Sequence, residues 1–250
     1  DDPILIRTAD AALLAQALAD ARTHSLRLFG ALRAALGERL DVRYAEAINP
    51  PRWELGHVGW FEEFWIARNS ERLRGTAARP EAPRAAPLLP GADALYDSSQ
   101  IAHARRWHLD LPDAPRTLAY LARVRERTLA LLSGSDGSDA ALYFYRLALL
   151  HEAMHQEAGT MIAQCLALDV SAALAASAPA APQARGDLRL PASSALVGAQ
   201  DGGFAFDNEL GGHRVELPAF TIDLAPVRWG AYLPFIEAGG YDDASAWTPA

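Results

Sequence analysis

A chain of 250 residues, half of them hydrophobic, is long enough to bury one or two cores. Its net charge of -8, with no basic run longer than Arg105-Arg106, excludes the positive footprint of a nucleic-acid binder and points to small-molecule substrates. Cys165 is the only cysteine, which excludes internal disulfides; no apolar run approaches a membrane span, the acidic start is not a signal peptide, and a soluble cytoplasmic protein is expected.

In chain order, Thr8 or Asp10 is placed to cap a first long helix, with Leu14, Leu18, Ala21, Ser25, Leu28, Phe29, Leu32 and Leu36 at mostly three-four spacing and Gly37 closing it. Asn49-Pro50-Pro51 predicts the start of a second, running to about Arg68 with the stripe Trp53, His57, Trp60, Phe61, Phe64 and Trp65. Residues 70–112 are proline-rich and read as a long excursion over a bundle, carrying polar and aromatic groups suited to substrate contact at Tyr96 to Ser99 and at Arg105 to His108. A solvated basic turn is the competing reading of the second group. Asp113 caps a third helix ending at Ser133-Gly134, and Ser138 or Asp139 caps a fourth that runs to about Leu168.

The fourth helix holds His151-Glu152-Ala153-Met154-His155. Residues four apart lie one turn above another, so His151 and His155 can aim both rings at one point, and both align with the apolar stripe Phe144, Leu147, Ala148, Met154, Ala158, Ile162 and Cys165. Two stacked rings buried together need a shared partner. The letters also satisfy H-E-x-x-H, in which two histidines bind zinc and the glutamate is the general base, although the extended form of that motif fails at Ala158 and Met161. A third ligand must come from elsewhere. His57, in the middle of the aromatic stripe, is the candidate, since bundle interiors are where such sites are built. Taken alone, His57 is equally a core histidine bonded to a carbonyl.

Past the fourth helix, Ser171 to Pro191 is mostly Ala and Pro, the composition of a linker. Strand-like runs follow at His213 to Leu217 and Phe220 to Asp223, with a short helix around Trp229 to Ile236 and then Gly239-Gly240-Tyr241. This last part does not complete a unit able to fold alone, and further residues are expected beyond Ala250.

Together these features resemble the sulfoxide synthases of ergothioneine biosynthesis and their relatives the selenoneine synthases. The similarity covers a DinB-like four-helix bundle and the start of a formylglycine-generating-enzyme-like (C-type-lectin-like) domain, the latter through Asp207-Asn208-Glu209, His213, Pro226-Val227 and Gly239-Gly240-Tyr241. The implied architecture is α followed by α+β: residues 1–170 an iron-binding bundle, 171–192 a linker, 193–250 the incomplete second domain. The resemblance implies one Fe(II) on His57, in a Trp-x-x-Gly-His setting, with His151 and His155. It also implies a tyrosine that assists catalysis and lies beyond Ala250.

The ergothioneine-type pattern has Gln where this chain has Met154, and an arginine-bearing loop segment where this chain reads Ala104 to Pro112. A neutral selenosugar needs no arginine clamp, and the expectation is therefore carbon-selenium bond formation on hercynine (trimethylhistidine), with Tyr96, Arg105, Arg106 and Met154 as substrate-binding candidates. The alternatives are a sulfoxide synthase joining hercynine to a cysteine-containing thiol, a zinc hydrolase using Glu152, and a metal-free binding module. The expected partners are hercynine, a selenosugar or thiol, and O2, with neither nucleic acid nor membrane. Joining chalcogen to an unactivated imidazole carbon is an oxidation, which redox-silent zinc cannot perform.

Overall fold

The computed structural model describes residues 3–171, 173, 186–199 and 202–248. The chain divides into two compact units, Asp1–Ala176 with Gln200–Leu210, and Ser177–Ala199 with Gly211–Ala250.

The first unit is helical. A single turn, α1 (Pro3–Ile6), precedes α2 (Ala11–Leu36), α3 (Pro51–Glu62), a short α4 (Ala92–Tyr96), α5 (Ala114–Ser133) and α6 (Asp139–Cys165). Three of the long helices begin at side-chain caps: Asp10 accepts from the Leu13 N–H, Asp113 from Arg116 and Ser138 from Ala141. Each such cap contributes on the order of 1 kcal/mol. α3 is different, because Pro50 occupies the cap position with Pro51 at the first helical position, and the Asn49 side chain donates to Glu54 instead of capping. α6 stops three residues earlier than its periodicity predicts, where Ala167 turns left-handed at φ 53° and the Leu168 N–H bonds the Ala163 carbonyl at 2.8 Å.

α3 is the central helix and is buried almost all round, including Glu54, His57 and Glu62. It runs on into a π-helical turn, Glu63–Ala67, in which the Arg68 N–H reaches the Glu63 carbonyl at 2.9 Å. The excursion 70–112 is ordered and lies over this helix: Leu89, Ala92, Tyr96 and Leu111 join the same core as Trp53, Leu55 and Trp60. Asp93 fixes it by accepting from Trp60 Nε1 at 2.7 Å and from both Arg68 amino groups at 2.6 and 2.8 Å. α4 can approach so closely because residue 56 is glycine: a Cβ there would sit 2.2 Å from the Tyr96 ring.

Phe204 to Glu209, expected in the second domain, pack with the helices. The Phe204 ring is buried beside Tyr143, with centroids 5.0 Å apart, and Glu209 takes both Arg7 amino groups at 2.7 and 2.8 Å. The approach demands glycine at 203, which has φ +71° and stands where a Cβ would lie 2.7 Å from the Arg7 carbonyl oxygen.

The second unit holds two antiparallel pairs, β1 (Asp187–Leu190) with β4 (Phe220–Asp223) and β2 (Ser193–Val197) with β3 (His213–Leu217), followed by α7 (Trp229–Glu237). The expected linker is thereby shortened. Asp187–Leu190 is strand, because its backbone groups find partners 30 residues away that composition does not reveal, and residues 172 and 174–185 of that stretch lie outside the described residues.

Candidate metal centre

His57 stands in the middle of α3, and His151 and His155 stand one turn apart on α6. Their ligand atoms all lie within 4.8 Å of one another. His151 Nε2 and His155 Nε2 are 3.1 Å apart. That separation suits an N–H···N bond, and equally a shared cation: two nitrogens each about 2.1 Å from one ion, and roughly at right angles about it, are about 3 Å apart.

The surroundings set the tautomers. His57 Nδ1 is 2.8 Å from the Tyr96 carbonyl oxygen, which can only accept, so Nδ1 carries the proton and Nε2 keeps its lone pair. His155 Nδ1 donates to the Glu54 carboxylate, which leaves its Nε2 lone pair for the cluster in the same way. His151 is held by its ring, stacked on Phe61 with centroids 3.5 Å apart and planes 5° from parallel. His57 lies between Trp53 and Trp60, at 4.6 and 5.6 Å.

Burial, and then the neighbouring His155, push the His57 pKa down to about 4. Burial, followed by His155 and His57, likewise holds His151 well below its ordinary value. Both are therefore neutral near pH 7, the form in which imidazole binds a metal. Burial alone would raise Glu54, but the hydrogen bond and charge of His155, and then the Asn49 amide, outweigh it and keep Glu54 ionised. Three converging imidazole nitrogens, two with their tautomers fixed by outer groups, form a donor set suited to a divalent transition metal.

Glu152 does not belong to this centre. It is 1% exposed, and its oxygens are held by Arg22 Nε at 2.8 Å, Ser25 Oγ at 2.8 Å and Arg125 Nη2 at 2.6 Å. The same arginines bind Glu62, Arg22 at 2.7 Å and Arg125 at 2.9 Å from both Nε and Nη2. One charged residue from each of α2, α3, α5 and α6 thus closes a buried cluster. A general base must reach a substrate proton. Glu152 has no open side from which to do so, and this removes the glutamate on which the zinc-hydrolase reading rests.

The remaining candidates divide. The Tyr96 phenol is in the core, not at a substrate surface, because it fills the space left by Gly56; what it gives the site is its backbone carbonyl. Arg106 lies over Trp53, 4.2 Å from the ring centre, and donates to Asn49 Oδ1 at 2.8 Å; Trp53 stacks on His57, so one ring separates the two. Arg105 is exposed. The two sit on the 3-10 segment His103–His108, where neighbouring side chains leave the axis about 120° apart. Met154 is 49% exposed, and Cys165 is exposed as well, so the inner face of α6 is narrower than its apolar letters imply. Sequence reasoning missed Glu54. The signal was present, since Glu54 stands three residues before His57 and on the same side of the helix.

A helical bundle with a convergent histidine triad defines the class of protein. Residues 17–158 match the DinB superfamily, and the chain belongs to it. It is 32% identical over 247 residues to a protein named hercynine oxygenase from Mycolicibacterium thermoresistibile, covering 95% of this chain and 51% of that one. A protein of the same name from Mycobacterium tuberculosis is 32% identical over 242 residues, with 94% and 53% covered. The chain thus spans about half the length of the curated relatives it matches.

Proposed function

We propose that this protein is a hercynine-modifying oxygenase of the ergothioneine type, with Fe(II) on His57, His151 and His155. The observation that carries the reading is the triad itself: three imidazoles aimed at one point, two with their tautomers set, in a chain similar over nearly its whole length to proteins named hercynine oxygenase. Bound iron would supply redox chemistry with dioxygen and open positions beside the substrates, which zinc would not. The chain's own residues hold His57 and His151 neutral and orient the rings, and the aromatic walls Trp53, Trp60 and Phe61 keep water from them. The paired strands of the second unit fit the start of a formylglycine-generating-enzyme-like domain. Among the described residues no helix is long and apolar enough to cross a membrane, which is compatible with a cytoplasmic place of work.

For the chalcogen donor, a thiol bearing carboxylates is the better supported reading, because the relatives are named hercynine oxygenase, with nothing in the name to call for selenium, and because Arg106 keeps a cation one stacked ring from His57. The second reading is the selenosugar. One observation favours it: Arg106 is already bonded to Asn49, which leaves exposed Arg105 in place of a pair of converging arginines.

The test is anaerobic metal analysis followed by a competition assay with hercynine, oxygen and both donors, products resolved by mass. Iron with dominant sulfoxide product supports the thiol reading, and a selenium adduct supports the other. Tightly held zinc without oxidation, or no metal at all, overturns the oxygenase. His57→Ala is expected to abolish iron binding while circular dichroism shows the helices intact.

A further inference from the structure

α3 and the π-helical turn that continues it bury three glutamates, and their partners differ in kind. Glu62 is bound by two arginines. Glu63 accepts from the Tyr120 hydroxyl at 2.7 Å and from the Leu88 N–H at 2.7 Å. Glu54 has as its basic partner His155, one of the triad, and as its other partner the amide of Asn49. A buried carboxylate is costly unless positive charge lies close to it, on its partner ring or behind that ring. A cation on Nε2 of His155 is such a charge.

We propose that Glu54 is the positioning residue for His155, and that through Asn49 it ties this ligand to Arg106 of the excursion loop. The inference rests on the metal-centre reading and deepens it. Three hydrogen bonds run without a break and with consistent polarity: Arg106 Nη1 donates to Asn49 Oδ1, Asn49 Nδ2 donates to one Glu54 oxygen, and His155 Nδ1 donates to the other. Glu54 is accordingly fixed at both oxygens. It holds the His155 ring at one angle, keeps its proton on Nδ1, and makes its Nε2 a stronger donor than the carbonyl-bonded His57. Arg106 is the element of this chain that faces the loop. A displacement of its guanidinium, as by an anionic group, is passed through Asn49 to the carboxylate and so to the metal ligand.

Co(II) titration of the whole chain under anaerobic conditions tests this, with affinity and visible absorption bands as readouts and no need for turnover. Glu54→Gln is expected to weaken Co(II) binding by about 10- to 100-fold and to shift the bands, with the urea midpoint recorded as a folding control. Arg106→Ala is expected to weaken binding a few-fold in the native background and not at all in Glu54→Gln, because the path is already cut. Asn49→Ala, which leaves the Glu54–His155 contact in place, should reproduce the Arg106→Ala effect and serves if Glu54→Gln does not fold. Unchanged affinity and bands in Glu54→Gln overturn the positioning role. Equal effects of Arg106→Ala in both backgrounds overturn the relay. Failure of the native chain to bind Co(II) overturns the metal-centre reading instead.

Discussion

Glu62 on α3 and Glu152 on α6 belong to a closed cluster, whereas His57, His151 and His155 on the same two helices form an open one. In the first, two guanidiniums from α2 and α5 answer two carboxylates, and every charge has its counter-charge within hydrogen-bond reach. In the second, the outer nitrogens of two rings are answered and the inner ones are left facing each other. Both clusters are buried and polar. The difference is that the closed cluster spends its bonding capacity on joining four helices, while the open one keeps it for something from outside. Closure also fixes the roll of α3 and α6 about their axes, so the cluster that binds nothing helps aim the cluster that can.

The largest effect should come from opening the closed cluster. Arg125→Met leaves Glu62 and Glu152 sharing Arg22, and one buried negative charge goes uncompensated. A loss of about 3–5 kcal/mol in urea unfolding is expected. Replacing Arg22, Glu62, Arg125 and Glu152 together by apolar residues of similar volume should cost much less, because no charge is then stranded. If the single and quadruple variants lose equal stability, the cluster is not acting as a closed charge set.

Acidification probes the open cluster. With His57 near 4 in the folded chain and about 6.5 unfolded, the unfolded state takes up a proton that the folded state refuses. Stability is therefore full above pH 6.5, falls as the pH drops towards 4, and loses roughly 3 kcal/mol in all from this group. His151 acts in the same direction. Between pH 6.5 and about 5.5 the lowered carboxylates Glu54 and Glu62 remain ionised in both states, so the slope in that window reports the histidines. Chelator-treated protein unfolded in urea at pH 7.5 and pH 5 should differ by at least about 2 kcal/mol, and His57→Ala should remove about 2 kcal/mol of the difference and leave the share of His151.

How much of this was legible beforehand follows from the same contrast. The open cluster was readable because its histidines interrupt apolar stripes, where an unpartnered ring is conspicuous. The closed cluster was not, since charged letters are ordinarily read as solvent-facing even at stripe spacing, as with Arg22 four residues after Leu18, and only tertiary pairing shows why they are inside. Glu54 was passed over for the same reason, although its place three residues before His57 was a signal. Caps and breakers placed the starts of α2, α5 and α6 well, because these are local interactions. The span of α3 was harder: its start carries no side-chain cap, and its continuation is π-helical. β1 was missed because strand pairing is non-local and an Ala/Pro-rich approach masks it.

A smaller effect is expected at Gly56, the close approach behind His57. Alanine there places a methyl inside the Tyr96 ring, so that the ring or α4 must move. Overpacking of this kind costs about 1–3 kcal/mol. Because the Tyr96 carbonyl holds His57 Nδ1, the same variant should weaken Co(II) binding more than an equally destabilising change far from the site, such as one at Leu14. Equal weakening in both would mean that the carbonyl does not orient the ring.

Met154 is expected to give the smallest effect on stability and the most informative one on chemistry. It stands between the two α6 histidines in sequence, yet it is 49% exposed, so Met154→Gln removes little packing and should change stability by less than about 0.5 kcal/mol. Co(II) affinity should also be unchanged, because no ring of the triad rests on this side chain. Any change the variant produces must then act on what approaches the metal and not on what holds it. A thioether is soft and apolar, whereas an amide offers hydrogen bonds, so the two discriminate between donors by chemistry rather than by size. The native and Met154→Gln proteins are to be compared in the same two-donor competition. A shift of the product ratio towards the carboxylate-bearing thiol, at constant metal content, would assign Met154 to donor selection. An unchanged ratio would remove it from the substrate surface and leave Arg105 and Arg106 as the residues on which the choice of donor turns.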